Sequence, residues 1–472
     1  MSESEKKDEA VDPFKPYKGR YESHAHLPEA GRDPEAVFRE IASMAERENA
    51  QWKTGKVSGT FYHAGDEHRA FLNRVFSLFS HVNVLQVDLC PSMSKFESEI
   101  LAMTARMLNG EAARARNPED EVCGTVTFGG SESIMMAMKV YRDRARAERG
   151  LAEPEVIMPR TAHPAFNKSG EYFGIRIVEV PVEAPDYRVD PAAVEERINE
   201  RTVALVGSAG NYPYGLIDPL EALSDLALKH GLGMHVDGCL GGFILPWIEK
   251  LGYPVPIFDF RLPGVTSMSA DTHKYGFGLK GTSVVLYRNK ALRRYQYFNV
   301  PDWPGGIYAS PSMSGSRSGG LTAATWAAMV YLGEAGYLKA ARAIMDVADR
   351  VKDGVRAIPE LELIGEPTFL IGFRSEEVDI YHVNDFMGEK GWRFNCLQLP
   401  PAMHFCVTMP QTEVPGIADR LVEDLRAAVD YAKQHAGTPA RSSALYGLAG
   451  TAAGNQAVAD ILYGAFDHLF QV

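Results

Sequence analysis

The stretch "GVTSMSADTHKYGFGLKGTSVVLY", Gly264 to Tyr287, sets two apolar, strand-like runs around a turn. That turn carries Asp271, His273, Lys274 and Lys280 beside three glycines. A lysine held between buried strands is costly unless its charge is relieved. One form of relief is conversion of the amine to an imine. Burial is expected to lower the pKa of Lys274, which suits an amine that attacks a carbonyl.

Moving upstream, "GMHVDGCLGGF" reads as another buried strand, ending at Asp237, 37 residues before Lys274. "TVALVGSAG", "EVIMP" and "GIRIVEVPV" read the same way, and "LEALSDLALKHG" is a helix closed by Gly231. Apolar strands interleaved with helices predict an α/β fold whose mostly parallel sheet is covered on both faces. Before them, helical patterns span Pro34 to Glu48, Asp66 to Phe79 and Pro91 to Leu108, with the Gly-bounded loop "GTFYHAG" (Gly59 to Gly65) between the first two. A long helix is expected to begin near Gly333. The short strands "LELIG", "TFLIGF" and "HFCVTM" then suggest a smaller α+β domain. The expected division is an N-terminal segment 1–85, a large domain 86–335, a small domain 336–437 and a helical tail 438–472 around "ALYGLAG". The first ~20 residues are expected to be disordered, with "DPFKPYKG" draped over a partner surface.

Composition narrows the function classes. The 472 residues exceed what one small core needs. With 61 acidic against 49 basic residues the net charge is -12, which disfavours nucleic acid as a partner. The cysteines Cys90, Cys123, Cys239, Cys396 and Cys406 form no CxxC pair, so neither a disulfide framework nor a metal site is indicated, and a reducing cytoplasm is the expected setting. "MSESEKKDEA" is no secretion signal, and no run of 18 apolar residues marks a transmembrane span. Release into a host by another route is left open.

Four features carry chemistry. In "TFGGSESIMMAMK", Gly130 and Ser131 open a helix where backbone N–H groups and the dipole favour an anion, or where a serine simply caps the helix. Asp237 needs a cationic partner at its depth, either the protonated nitrogen of a pyridine ring or an arginine. His163 of "RTAHPAFNKSG" is either a ring-stacking imidazole or a loop histidine. Lys274 is either an imine former or an exposed strand-end lysine. The conjunction favours chemistry, because ligand sites of open α/β sheets gather at the carboxyl ends of strands. A phosphate cradle, a stacking histidine, a buried aspartate and a lysine in this order describe a site for pyridoxal phosphate.

Here the chain resembles the pyridoxal-phosphate enzymes of fold type I, in the group II decarboxylase superfamily, and within them it is similar to the sphingosine-1-phosphate lyases. The resemblance runs from about Lys56 to Ala449 and rests on "HVDGCLGGF", "FDFRLPGVTSMSADTHKYGFGLKGTSVVLYRN", "DWPGGIYASPSMSGSRSGG" and "GWRFNCLQLPPAMHFCVT". It implies a seven-stranded large domain with a smaller C-terminal domain, and cleavage of a phosphorylated sphingoid base to phosphoethanolamine and a long-chain aldehyde. It implies that Lys274 forms the imine, Asp237 pairs with the pyridine nitrogen and His163 stacks on the ring. Gly130, Ser131 and His273 would hold the cofactor phosphate, and Ser316 would join them. Tyr62, Asn83, Gln86, Lys280 and Arg317 would line the substrate-phosphate site. Tyr212 and the "GSRSGG" loop (Ser316, Arg317) would reach across a homodimer with shared sites, and Tyr446 would close the entrance. Tyr62, Tyr212 and Lys280 are further catalytic candidates.

The sequence departs from the family in places. "NVLQVDLCPS" stands where the family has "NPLHPDVFPS", so a phosphate-contacting histidine is Gln86 here. "GFGLKG" replaces "GFAPKG", which is expected to loosen the turn that Gly276, Gly278 and Gly281 already make flexible. The eukaryotic members carry an N-terminal membrane span with no counterpart in this sequence. Two other functions stay open: an amino-acid decarboxylase using the same Lys, Asp and His, and a cofactor-free binding protein that kept the fold.

Overall fold

Seven short segments, each almost fully buried except the last in space, build the central sheet of the computed structural model, which describes residues 12, 14–446 and 452–471. They are β1 (Cys123–Thr127), β2 (Glu155–Pro159), β3 (Arg176–Val180), β4 (Thr202–Ser208), β5 (Gly233–Gly238), β6 (Ser267–Ala270) and β7 (Ser283–Tyr287). Their spatial order is β1-β7-β6-β5-β4-β2-β3, with β7 antiparallel to both neighbours and the remaining pairs parallel. The run "TVALVGS" of β4 is buried at every position, which is why it reads as continuous apolar sequence rather than alternation.

Helices cover both faces. The helix Gly130–Arg149 lies on one, packing Ile134, Met138 and Tyr141 against Val156, Val206 and Phe166. Gly233 lets it come close, since a Cβ there would fall 2.3 Å from the Tyr141 ring. The Tyr141 hydroxyl is shared with Ser267 Oγ at 2.6 Å. On the other face Val236, Met268, Phe243 and Leu245 join the core that runs through Tyr337 and Ile344 to the small domain.

The expected long helix differs at its start. It runs Gly319–Arg356, and Gly333 (φ 56°, ψ -177°) interrupts it instead of beginning it. Upstream of it, β8 (Phe298–Trp303) and β9 (Gly306–Ser310) form a separate hairpin with Phe298, Trp303 and Ile307 exposed. The small domain carries an antiparallel sheet of β10 (Glu362–Leu363), β11 (Leu370–Arg374), β12 (Asn395–Leu397) and β13 (Ala402–Cys406), in the order β10-β11-β13-β12.

The N-terminal region does not stand alone. Ser58 N donates to Arg393 O at 2.9 Å, Gly59 N to Cys406 O at 2.8 Å, and Gln411 Nε2 to Val57 O at 2.7 Å. These bonds fix the "GTFYHAG" loop against the small domain. The helix Asp66–Phe79 lies along the first half of Gly319–Arg356, where Leu72 packs on Ala324, Ala327 and Ala328. Of the segment expected to be disordered, Asp12, Phe14 and Lys15 meet the helix Ala452–Leu469: Lys15 Nζ donates to Leu469 O at 2.9 Å, His468 pairs with Asp12 at 2.6 Å and its ring meets Phe14 edge-on. Residues 1–11 and 13, residues 447–450 of the "ALYGLAG" loop with residue 451, and residue 472 lie outside the described residues. Among the described residues no helix is long and apolar enough to cross a membrane, and no group of three or more His, Cys, Asp or Glu side chains suits a metal ion.

Candidate cofactor and active site

The register of β5 and β6 pairs Asp237 with Ser269, so both strands end side by side and the turn after β6 delivers Asp271, His273 and Lys274 next to Asp237. One cavity is lined by Phe128, Gly129, Gly130, Ser131, Glu132, Ile134, His163, Cys239, Asp271, His273 and Lys274. The structure thus brings together five of the sequence candidates: Gly130, Ser131, His163, His273 and Lys274.

Each is positioned by its own element. The helix Gly130–Arg149 begins without a side-chain cap at Gly129, so its first turn presents the positive end of the helix dipole to the cavity. Gly130 must be glycine: a Cβ there would lie 2.7 Å from Cys239 Sγ and 2.8 Å from Asp271 Oδ1. Glu132 braces the loop by accepting from Phe128 N at 2.6 Å and Met313 N at 2.9 Å. His163 follows β2 and accepts from Ala165 N through Nδ1 at 3.1 Å. His273 accepts from Thr282 N through Nδ1 at 3.2 Å, and burial pushes its pKa down.

Asp237 is buried, and its Oδ1 accepts from Cys239 N at 3.0 Å and Ser269 Oγ at 3.1 Å. Burial raises its pKa, but the Cys239 hydrogen bonds and the neighbouring His235 and His163 outweigh burial and hold it below the usual carboxylate value. It remains a carboxylate at the strand end, which is what a protonated ring nitrogen requires.

Lys274 departs from expectation. Its Nζ lies 2.9 Å from Asp271 Oδ2. Burial lowers its pKa, yet Asp271 first, then Cys239 and Asp237, more than reverse that, and the net shift is upward. The depressed lysine is Lys280, brought down to about 8 by burial and by the charge of Lys274. Lys280 Nζ sits 4.6 Å above the Tyr62 ring. Burial raises the Tyr62 pKa well above its ordinary value, helped by Cys406.

The glycine turn is tight rather than loose. A Cβ on Gly276 would meet Thr272 O at 2.5 Å, Gly278 N donates to Thr272 O at 2.9 Å, and Tyr337 Oη donates to Gly276 O at 2.9 Å. Gly276 and Gly278 serve close packing, whereas Gly281 holds a left-handed φ of 96°.

The other candidates do not line the Lys274 cavity of their own chain. Asn83 Nδ2 donates to Ser316 Oγ at 3.0 Å, and its Oδ1 accepts from Arg317 N at 3.3 Å. The Arg317 guanidinium is engaged by both Glu97 oxygens and by Val126 O at 3.2 Å. Gln86 is in an exposed turn. Tyr212 is half exposed, its ring centroid 4.9 Å from that of His404 in an edge-on arrangement, and Tyr446 stacks on Tyr381 at 6.1 Å. Sequence reasoning assigns no role to Asp271, Cys239 or Glu97. Asp271 was detectable from its place three residues before Lys274 in a turn; the others are joined only by the fold.

A helix start that no side chain caps, a glycine whose Cβ would fill the cradle, a deep carboxylate and an amine form a donor set that fits pyridoxal phosphate. Comparisons with known proteins agree. A family model described as the pyridoxal-dependent decarboxylase conserved domain matches residues 16–375. The chain is 42% identical over 452 residues to a sphingosine-1-phosphate lyase of Dictyostelium discoideum, covering 95% of this chain and 82% of that one. It is 44% identical to one of Arabidopsis thaliana, covering 89% and 77%. A solved sphingosine-1-phosphate lyase of Burkholderia pseudomallei superposes with a TM-score of 0.88 at 52% identity, over 89% of this chain and 95% of that one.

Proposed function

The chain belongs to the sphingosine-1-phosphate lyases, within the pyridoxal-dependent decarboxylase family, and from that premise we propose that it cleaves a phosphorylated sphingoid base to phosphoethanolamine and a long-chain aldehyde. It is a pyridoxal-phosphate-dependent lyase. The observation that carries the substrate reading is its likeness to lyases over most of the chain, joined to a cavity where Lys274 faces the start of the helix Gly130–Arg149.

When bound, pyridoxal phosphate supplies the electron sink for the pair released by the breaking carbon–carbon bond. Lys274 Nζ would hold the cofactor's aldehyde carbon, Asp237 its ring nitrogen and His163 its ring face. Gly130, Ser131 and His273 would hold its phosphate. The substrate hydroxyl must lose a proton for the retro-aldol cleavage. Lys274 Nζ, once the substrate amine has taken its place, is the acceptor this arrangement favours. Tyr62, whose pKa burial raises, keeps its proton at neutral pH and suits donation from Oη instead. Tyr212, raised by burial as well, belongs to the same class. Lys280 would attract the substrate phosphate, because it has no carboxylate within ion-pair distance among the described residues.

That Ser316 and Arg317 stand outside the Lys274 cavity of their own chain supports a homodimer with shared sites, and the exposed apolar hairpin of β8 and β9 supports it further. A cytoplasmic location fits the five free cysteines.

Product analysis tests the activity. Incubation with a phosphorylated sphingoid base should yield a long-chain aldehyde and phosphoethanolamine. Carbon dioxide from amino acids, with no aldehyde from the lipid, would assign the chain to decarboxylation instead.

A further inference from the structure

Asp271 follows β6 directly, is 2% exposed, and touches the Lys274 amine with one oxygen only. Its Oδ2 is 2.9 Å from Lys274 Nζ and 3.7 Å from His273 Nε2. Its Oδ1 is buried and accepts no hydrogen bond among the described residues. That oxygen borders the cofactor cradle, where a Cβ on Gly130 would fall 2.8 Å from it. The contrast with Asp237 is instructive. Asp237 is satisfied by a backbone N–H and a hydroxyl and needs no lysine. Among the described residues Asp271 has no such donors, and the ammonium of Lys274 is its nearest cation.

We propose that Asp271 is the positioning residue for Lys274: its carboxylate anchors the lysine as an ammonium inside the cofactor cavity, and this pair opens when Lys274 enters an imine. The inference rests on the assignment of Lys274 as the imine former. The groups that bear on Lys274 come from every element around it. Asp271 and His273 share its turn, Asp237 and Cys239 close β5, Lys280 stands beyond the glycine turn, Tyr212 follows β4, and Cys406 ends β13. Of these, Asp271 alone is within ion-pair distance among the described residues. Once released, its carboxylate stays beside His273 and the helix start, both of which favour negative charge.

The test uses the full-length protein stripped of cofactor. Trace acylation of its lysines is followed across pH, with Lys274 and Lys280 resolved by peptide mass spectrometry. In the unaltered protein at pH 8, Lys280 should label faster than Lys274. The reverse order overturns the proposal without any variant. In Asp271→Asn the apparent pKa of Lys274 should fall by one unit or more, which is about tenfold faster labelling at a fixed pH below it. Asp271→Glu should restore the slow profile. A Lys274 profile unchanged in Asp271→Asn, with thermal stability lowered, would leave Asp271 a purely structural residue and overturn the proposal. Borohydride reduction of the cofactor-loaded protein followed by peptide mapping separates the two assignments. Reduced cofactor on a lysine other than Lys274 defeats the imine assignment, whatever the labelling shows.

Discussion

Lys280 Nζ stands 4.6 Å above the ring of Tyr62, and that ring meets Tyr275 edge-on at 5.1 Å. The residue six positions after the proposed imine lysine thereby lies over the N-terminal loop while staying exposed to solvent. Burial, then the Lys274 charge, holds its pKa at about 8, so its charge is lost as pH rises through that value. If Lys280 binds the substrate phosphate, KM should climb between pH 7 and 9. Lys280→Met should raise KM by about 10- to 100-fold, the range for losing one charged hydrogen bond, and flatten the climb. Steady-state kinetics across pH decide. A loss confined to kcat would make Lys280 a proton-transfer group instead.

Gly130 illustrates how closely the cradle is built. Gly130→Ala would push a methyl group into Cys239 Sγ and the Asp271 carboxylate at under 3 Å. Overpacking of this kind costs about 1–3 kcal/mol, and here it also narrows the proposed phosphate site. The variant is expected to purify with less than half the bound cofactor of the parent, measured by absorbance and by released pyridoxal phosphate. Full occupancy with unchanged melting temperature would show that the anion site lies elsewhere.

Arg317 is a test of where the substrate phosphate is not bound within one chain. Its guanidinium is 7% exposed and is tied to Glu97 and to Val126 O. Removing one partner of such a pair leaves a buried charge, worth about 3 kcal/mol. Glu97→Gln should therefore lower the melting temperature by several degrees. Arg317→Lys should do the same, because one ammonium cannot replace a fork. If Arg317→Lys leaves the melting temperature unchanged and raises KM alone, the arginine serves the substrate.

The strand-end logic was readable because β4, β5 and β6 are buried on both faces and so appear as unbroken apolar runs, each ending at small or charged residues. The same reasoning puts Asp237 and Lys274 at strand ends, where the end of β5 and the turn after β6 hold them. It failed where partners come together across sequence. Nothing near Arg317 in the chain announces Glu97, 220 residues away. Nor does spacing reveal that a carboxylate three residues before Lys274 reverses the effect of burial on its pKa. The glycines of the turn show another limit: sequence cannot distinguish Gly281, whose φ is 96°, from Gly276 and Gly278, which pack closely against Thr272. The start of the long helix differs from expectation for a related reason, since Gly333 looks like a boundary and is in fact a break within it.

His68 predicts an acid limb of stability. It is 1% exposed, it lies 5.7 Å from the Tyr331 ring, and neither ring nitrogen finds a partner among the described residues. Burial, then the neighbouring His63, lowers its pKa from 6.5 to about 4. The unfolded chain therefore takes up this proton from pH 6.5 downward, while the folded protein resists until about pH 4. The neutral imidazole contributes fully above pH 6.5, and stability is lost as pH falls toward 4. At pH 5 the loss from this one group is ~2 kcal/mol. His68→Leu removes two unsatisfied polar atoms, so at pH 7.5 it should be neutral or stabilising, and at pH 5 it should recover most of that loss. His63, His235 and His404 are held near 4 by burial too, and leave the rest of the acid limb in place. Urea unfolding at the two pH values measures the difference. An acid limb of the same depth in His68→Leu would mean that His68 does not remain neutral in the folded protein.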